Sequence, residues 1–321
     1  MLQILGITGP IYLVIALGFL AGKFDVFSKP DMRVLGTYVV KFALPALIFT
    51  TLSQRPVGEI LDLRYLLGYA GGSLAVMMAA IAYGRKVQRK PFTLSVICGL
   101  GMSSSNSGYI GLPIAVQVVG SGTAGVALAM NMVVENLLMI PLAMAMADAG
   151  SIAGGASRTW HSAVGGSLVQ LLRNPIIQAM LGGVAVASLD LQISGVLART
   201  INMLSLSSAA VSLFVIGGSL VGLTTAGMRR DVSAIALGKL VGHPLAVGLL
   251  LWLLEPSDAG MRAAGVVFAG VPMLSIYPIV AQKYGLESFC AAALLLATVL
   301  SFVTITVMLW LLGPAVLAWR T

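Results

Sequence analysis

The chain has 321 residues, 58% of them hydrophobic and 9% charged, with a mean hydropathy of +0.99. Soluble domains carry about 25% charged residues, so nineteen Lys plus Arg, eleven Asp plus Glu and two His cannot clothe a water-facing surface of this size. A soluble enzyme, a disordered hub and a secreted disulfide scaffold are excluded, and the sequence reads as an all-α integral membrane protein.

A hydrocarbon core about 30 Å thick takes roughly 20 apolar residues per helical crossing. Apolar segments run over 4–22, 34–53, 63–84, 92–120, 122–147, 172–189, 196–224, 232–254, 259–285 and 288–318, which predicts ten transmembrane helices. The first lacks the basic leading region of a signal peptide and reads as a retained helix. The fourth and ninth are interrupted, from Ser103 to Pro113 and from Pro272 to Pro278. The longest polar connection, Gly150 to Arg173, sits at the midpoint and is rich in Gly, Ala and Ser. It predicts a cytoplasmic linker, 151–171, between halves spanning 1–150 and 172–321.

Basic residues set the orientation. The odd-numbered connections hold twelve Lys and Arg, including the RKVQRK run at 85–90, against five on the other side. The positive-inside rule then puts both termini outside, and the net charge of +8 reports topology rather than nucleic-acid binding. Cys98 and Cys290 lie in distant apolar stretches and read as small buried hydrophobes. No metal and no cofactor is expected.

The halves align at a constant offset of 165 residues. Pro10-Ile11 falls on Pro175-Ile176, Gly18 on Gly183 and Phe49 on Phe214. The cluster Pro113-Ile114-x-x-Gln117-x-x-Gly120 falls on Pro278-Ile279-x-x-Gln282-x-x-Gly285. Scattered identities mean little in so apolar a chain, but this cluster shares its offset with the proline near the start of each half. Five helices per half is odd, so the second half enters the membrane upside down. A five-plus-five inverted repeat with helices 4 and 9 broken is a plan characteristic of secondary transporters.

Broken backbone is tolerated in hydrocarbon only when buried in protein or facing a watery cavity. The fourth segment carries Ser103, Ser104, Ser105, Asn106, Ser107, Gly108 and Tyr109 before Gly111 and Pro113; the ninth carries Pro272, Ser275, Tyr277 and Pro278. A half-helix starting after Asn106 presents free N–H groups and a positive dipole end, which with the neutral donors of Ser107 and Tyr109 suits a carboxylate. The alternative is a pair of proline-kinked helices whose serines bond back to their own carbonyls.

Two motifs in these breaks carry a family resemblance. N-S-G-Y-I-G-L-P at 106–113 and P-M-L-S-I-Y-P-I-V-A-Q-K-Y-G at 272–285 resemble the crossover motifs of the auxin efflux carrier family, which includes plant PIN-type carriers and bacterial malonate or carboxylate transporters. Y-V-V-K-F-A-L-P-A-L-I-F at 38–49 resembles that family's proline-broken second helix. The resemblance implies a scaffold of helices 1, 2, 6 and 7, a mobile unit of helices 3–5 and 8–10, elevator-type alternating access and a homodimer. It also implies that Asn106 contacts a substrate carboxylate. The bile-acid/sodium symporters share the architecture, but their sodium-site pattern is not found here, and the long central loop of many plant carriers is missing.

Ionisable residues inside the segments complete the candidate list. Glu135 lies about 13 residues into its segment, or about 20 Å along a helix, where a carboxylate is expensive and either functional or paired. His243 is similarly deep, with Lys239 one turn before it, and a contact of Glu135 with either would be a structural pair or a coupling site. Lys41 and Lys239 either snorkel to the interface or, for Lys41 beside Pro45, meet an anionic substrate. His161 falls in the linker, and the tryptophans at 160, 252, 310 and 319 read as interface anchors.

The expectation is a carrier of small organic anions, mono- or dicarboxylates, with proton, sodium or no coupling, in the bacterial inner membrane among its lipids. The alternative is a channel or substrate-sensing receptor on the same fold. An intramembrane enzyme is disfavoured because HExxH, GxSxG and paired intramembrane aspartates do not occur.

Overall fold

The structure is a computed structural model that describes residues 2–54, 62–150, 175–222, 229–256 and 258–318. The linker 151–171, with Trp160 and His161, and also Trp319 lie outside the described residues. Helix α1 runs Leu2–Lys23 and α2 runs Lys29–Ser53. The second helix begins ahead of the apolar segment at 34 because Ser28 closes a capping box: Ser28 N–H donates to Asp31 Oδ2 at 2.8 Å while Ser28 Oγ accepts from Asp31 N–H at 3.4 Å. Helix α3, Leu63–Lys86, starts on Asp62, whose carboxylate accepts from Tyr65 N–H at 3.0 Å. There follow α4 (Phe92–Ser103), α5 (Leu112–Val133), α6 (Ile140–Gly150), α7 (Pro175–Ser188) and α8 (Gly195–Ser219). Helix α9 joins Arg229–Leu237 to His243–Leu254, and α10 (Ala259–Gly270), α11 (Tyr277–Gln282) and α12 (Glu287–Ala318) complete the order.

Six described stretches are long and apolar enough to cross a membrane, so the chain is a multi-pass membrane protein. One of them, Phe92–Gly150, has 59 residues, far more than a single crossing needs at about 1.5 Å per residue. It divides at the extended residue Ser104 and again at Gly120, whose φ of 82° belongs to glycine. The chain then doubles back, since Thr93 Oγ1 donates to the carbonyl of Ala147 at 3.0 Å and ties the start of α4 to the end of α6.

Among the described residues four π turns interrupt the helices, at Val39–Ala43, Ser107–Gly111, Val134–Met139 and Gly238–Gly242. Each ends two residues before a proline: Pro45, Pro113, Pro141 and Pro244. A proline ring clashes with the carbonyl four residues earlier and offers no N–H to it. That carbonyl belongs to Lys41, Tyr109, Leu137 or Leu240, each inside its π turn. The wider turn takes up the clash and leaves the helix continuous beyond it, and such turns concentrate at functional sites.

Packing sorts the described helices into two groups. In one, α1 lies along α8, and the second half of α2 lies on α7 and α8. In the other, α3 packs on α4 and α9, α5 on α10, α4 on α6, and α12 on α9 and α11. In the first group a Cβ added to Gly18 would run into the Phe214 carbonyl, while one on Gly183 would stand 3.1 Å from the carbonyl oxygen of Phe49. The residues paired by the 165-residue offset therefore pack reciprocally, glycine on phenylalanine backbone in both directions.

Candidate functional site at the helix crossing

Helices α4 and α10 both end on extended residues, Ser104 (φ −117°, ψ 147°) and Val271 (φ −78°, ψ 163°). The two breaks meet. Asn106 N–H donates to the Pro272 carbonyl at 2.8 Å, and Asn106 Nδ2 donates to Ser275 Oγ at 2.7 Å. Asn106 Oδ1 accepts from Tyr109 N–H at 3.3 Å, so this side chain caps the turn that follows and clamps the opposite break. Pro278 sits in the first turn of α11, where a missing N–H costs nothing, while Pro113 follows directly on the π turn that relieves it. Gly120 and Gly285, each seven residues on, both take positive φ, 82° and 71°.

A cavity of about 140 Å³ lies against the crossing. Its polar lining is Ser105, Asn106, Ser107, Gly108, Tyr109 and Ser275 from the two breaks, with Glu135 and Asn136 from the π turn before α6. Val40, Leu44 and Ile176, from α2 and α7, form much of the opposite wall, so the cavity sits between the two helix groups. Tyr109 spans that boundary by donating its hydroxyl to the Gly36 carbonyl at 3.0 Å.

Behind the cavity lies a buried polar network. Glu135 is 2% exposed. Its Oε1 accepts from Ser107 Oγ at 2.9 Å and from Ser105 N–H at 3.2 Å, with the Tyr69 hydroxyl also 3.2 Å away. Lys239 is wholly buried, and its ammonium meets Ser105 Oγ, the Ala269 carbonyl and His243 Nδ1, each at 2.7 Å. Three ammonium protons thus find three acceptors. With Nδ1 accepting, His243 is neutral and carries its proton on Nε2, which donates to Ser73 Oγ at 2.9 Å. Ser105 bridges the lysine to the three donors gathered at Glu135. Snorkelling of Lys239 is therefore overturned: it points into the protein because its acceptors are there.

The remaining predicted residues fall elsewhere. Lys41 is exposed, and neither it nor Pro45 lines the cavity. Tyr277 is buried outside the lining, with its hydroxyl donating to the Ile97 carbonyl at 3.0 Å and its ring set against Gly101. Trp252 and Trp310 are exposed. Sequence reasoning missed Tyr65, Tyr69, Ser73 and Asn136. The first three recur every fourth residue along one face of α3, a polar stripe in an apolar helix that carried the signal.

Comparison with known proteins points to membrane transport. A family model described as membrane transport protein matches residues 8–309. A Rhizobium meliloti (strain 1021) protein named "Putative malonate transporter" is 29% identical over 318 residues, 99% of this chain and 98% of the relative. The Escherichia coli (strain K12) protein named "Uncharacterized transporter YfdV" is 25% identical, over 94% of this chain and 95% of its own.

Proposed function

This chain belongs to the membrane transport protein family, that of the auxin efflux carriers, and from that premise we propose that it moves a small mono- or dicarboxylate through the cavity at the helix crossing. The observation that carries the reading is the cavity itself. It is about 140 Å³ in volume, and it is lined by the first turn after Asn106. The first N–H groups of a helix have no partner within it. Asn106 takes that of Tyr109, which leaves those of Ser107 and Gly108 for an anion at the positive end of the dipole. A cavity near 150 Å³ holds a benzene-sized molecule, a volume that suits a malonate-like acid.

Ten crossings in a five-plus-five inverted repeat, with halves 1–150 and 172–321, account for the rest. The reciprocal Gly18–Phe214 and Gly183–Phe49 contacts support that symmetry, as do the paired prolines and positive-φ glycines after each break. Helices α1, α2, α7 and α8 are the scaffold and the remaining helices the transport unit. A cavity walled by both groups suits an elevator, because sliding one group past the other carries the site between the two faces of the membrane. The odd-numbered connections and the linker face the cytoplasm.

The test is a thermal-shift series on the purified protein with carboxylates of rising size. A ligand that binds only the folded state raises its stability by mass action, by about 2.7 kcal/mol at a hundredfold excess over Kd. Malonate and similar short acids are expected to stabilise the protein more than indole-3-acetate does. Stabilisation by the indole acid alone contradicts the assignment.

A further inference from the structure

Building on that carboxylate site, we propose that Glu135 is a tethered competitor of the substrate, which gives up its donors and takes up one proton when a carboxylate enters. Glu135 lines the cavity, yet its Oε1 already holds the Ser107 hydroxyl at 2.9 Å and the Ser105 N–H at 3.2 Å. Those donors flank the free N–H groups of Ser107 and Gly108 on the same turn, so the site as built already holds part of its donor set on the protein's own carboxylate.

The balance of charge dictates the proton's part. From α9 the groups facing this network are the Lys239 ammonium and, behind it, neutral His243. From α3 they are Tyr69 and, stacked on it, Tyr65; from the crossing it is Tyr109. The walls contributed by α2 and α7 are Val40, Leu44 and Ile176, and Lys41 is exposed. Among the described residues the network therefore holds one basic side chain, Lys239, whose ammonium form is met by three acceptors and balanced by an ionised Glu135. A substrate carboxylate would make a second anion beside Glu135, and two carboxylates sharing one site cannot both stay ionised at low cost. Protonation of Glu135 restores neutrality, frees Ser107 Oγ and Ser105 N–H, and leaves Lys239 as the counter-charge of the substrate. No bond other than the proton's changes. Entry of the anion and uptake of the proton become one event, so the anion and proton travel together.

The experiment is titration calorimetry of the purified full chain with malonate and, separately, propionate, in buffers of differing ionisation enthalpy, on wild type and Glu135→Gln. Wild type is expected to take up about one proton per bound ligand more than Glu135→Gln does. Its affinity should rise about tenfold for each unit fall in pH where Glu135 is ionised in the empty site. Glu135→Gln should bind at least as tightly with no such dependence. Its subtraction removes any proton carried by the ligand itself. Wild type that binds either acid without taking up a proton overturns the competitor role and leaves the carboxylate site standing. Wild type that binds neither acid overturns both. Should Glu135→Gln fail to fold, Ser107→Ala serves: it strips Glu135 of a donor the substrate also uses, and proton uptake should persist with weaker binding. Lost uptake with retained binding in Ser107→Ala contradicts the proposal.

Discussion

The side-chain amide of Asn106 donates to Ser275 Oγ at 2.7 Å, so a residue of the first break grips a residue of the second. The same side chain caps the turn whose N–H groups border the cavity. Asn106→Ala should therefore weaken malonate binding by about 1–3 kcal/mol, because the cap on that turn and the clasp on the opposite break are lost together. Yield and monodispersity should hold, because the flanking helices are fixed by packing elsewhere. Calorimetry on the purified variant checks this, and wild-type affinity would remove Asn106 from the site.

The contact of Gly18 with the Phe214 backbone leaves no room for a side chain, whereas Gly183 against Phe49 leaves a little. Gly18→Ala should lower stability by about 1–3 kcal/mol through overpacking, and Gly183→Ala by less. Tryptophan-fluorescence melts of the two variants give the order directly.

Pro244 holds open the π turn that carries Lys239. With Pro244→Ala the helix can close to regular geometry. One residue of register then turns Lys239 by about 100°, away from Ser105, Ala269 and His243. The variant should express well and transport at least tenfold more slowly. Unchanged transport would mean that tertiary contacts alone keep the π turn.

Tyr109 donates to Gly36 across the boundary between the two helix groups. Tyr109→Phe removes a bond worth about 1 kcal/mol, which belongs to this arrangement of the groups and is broken if they slide. The balance between inward and outward access should shift about fivefold, with binding little altered. Labelling rates of a cysteine placed at Val40, measured from each side of the membrane, report that shift.

Much of this was legible in the chain. The apolar segments and the two breaks pointed to the helices and their polar interruptions, because burial in hydrocarbon forces long apolar runs and makes each interruption conspicuous. The helix starts were displaced where a cap such as Ser28 with Asp31 extends a helix past its apolar core. The partners of Lys239 were not legible, since depth along a helix says nothing of which face a side chain occupies. The π turns rotate Glu135 and Lys239 off the regular face, and only the prolines at 141 and 244 betray them. Lys41, one residue type in the same kind of turn, faces outward instead.

The central claim, a carrier with one small-carboxylate site at the crossing, is tested most directly by counterflow. Proteoliposomes of the purified protein are loaded with unlabelled malonate and diluted into trace labelled malonate. A carrier with alternating access accumulates label transiently above equilibrium, with a rate that saturates in malonate and collapses in Asn106→Ala. Flux that rises without saturation and never overshoots would make the protein a channel and contradict the account.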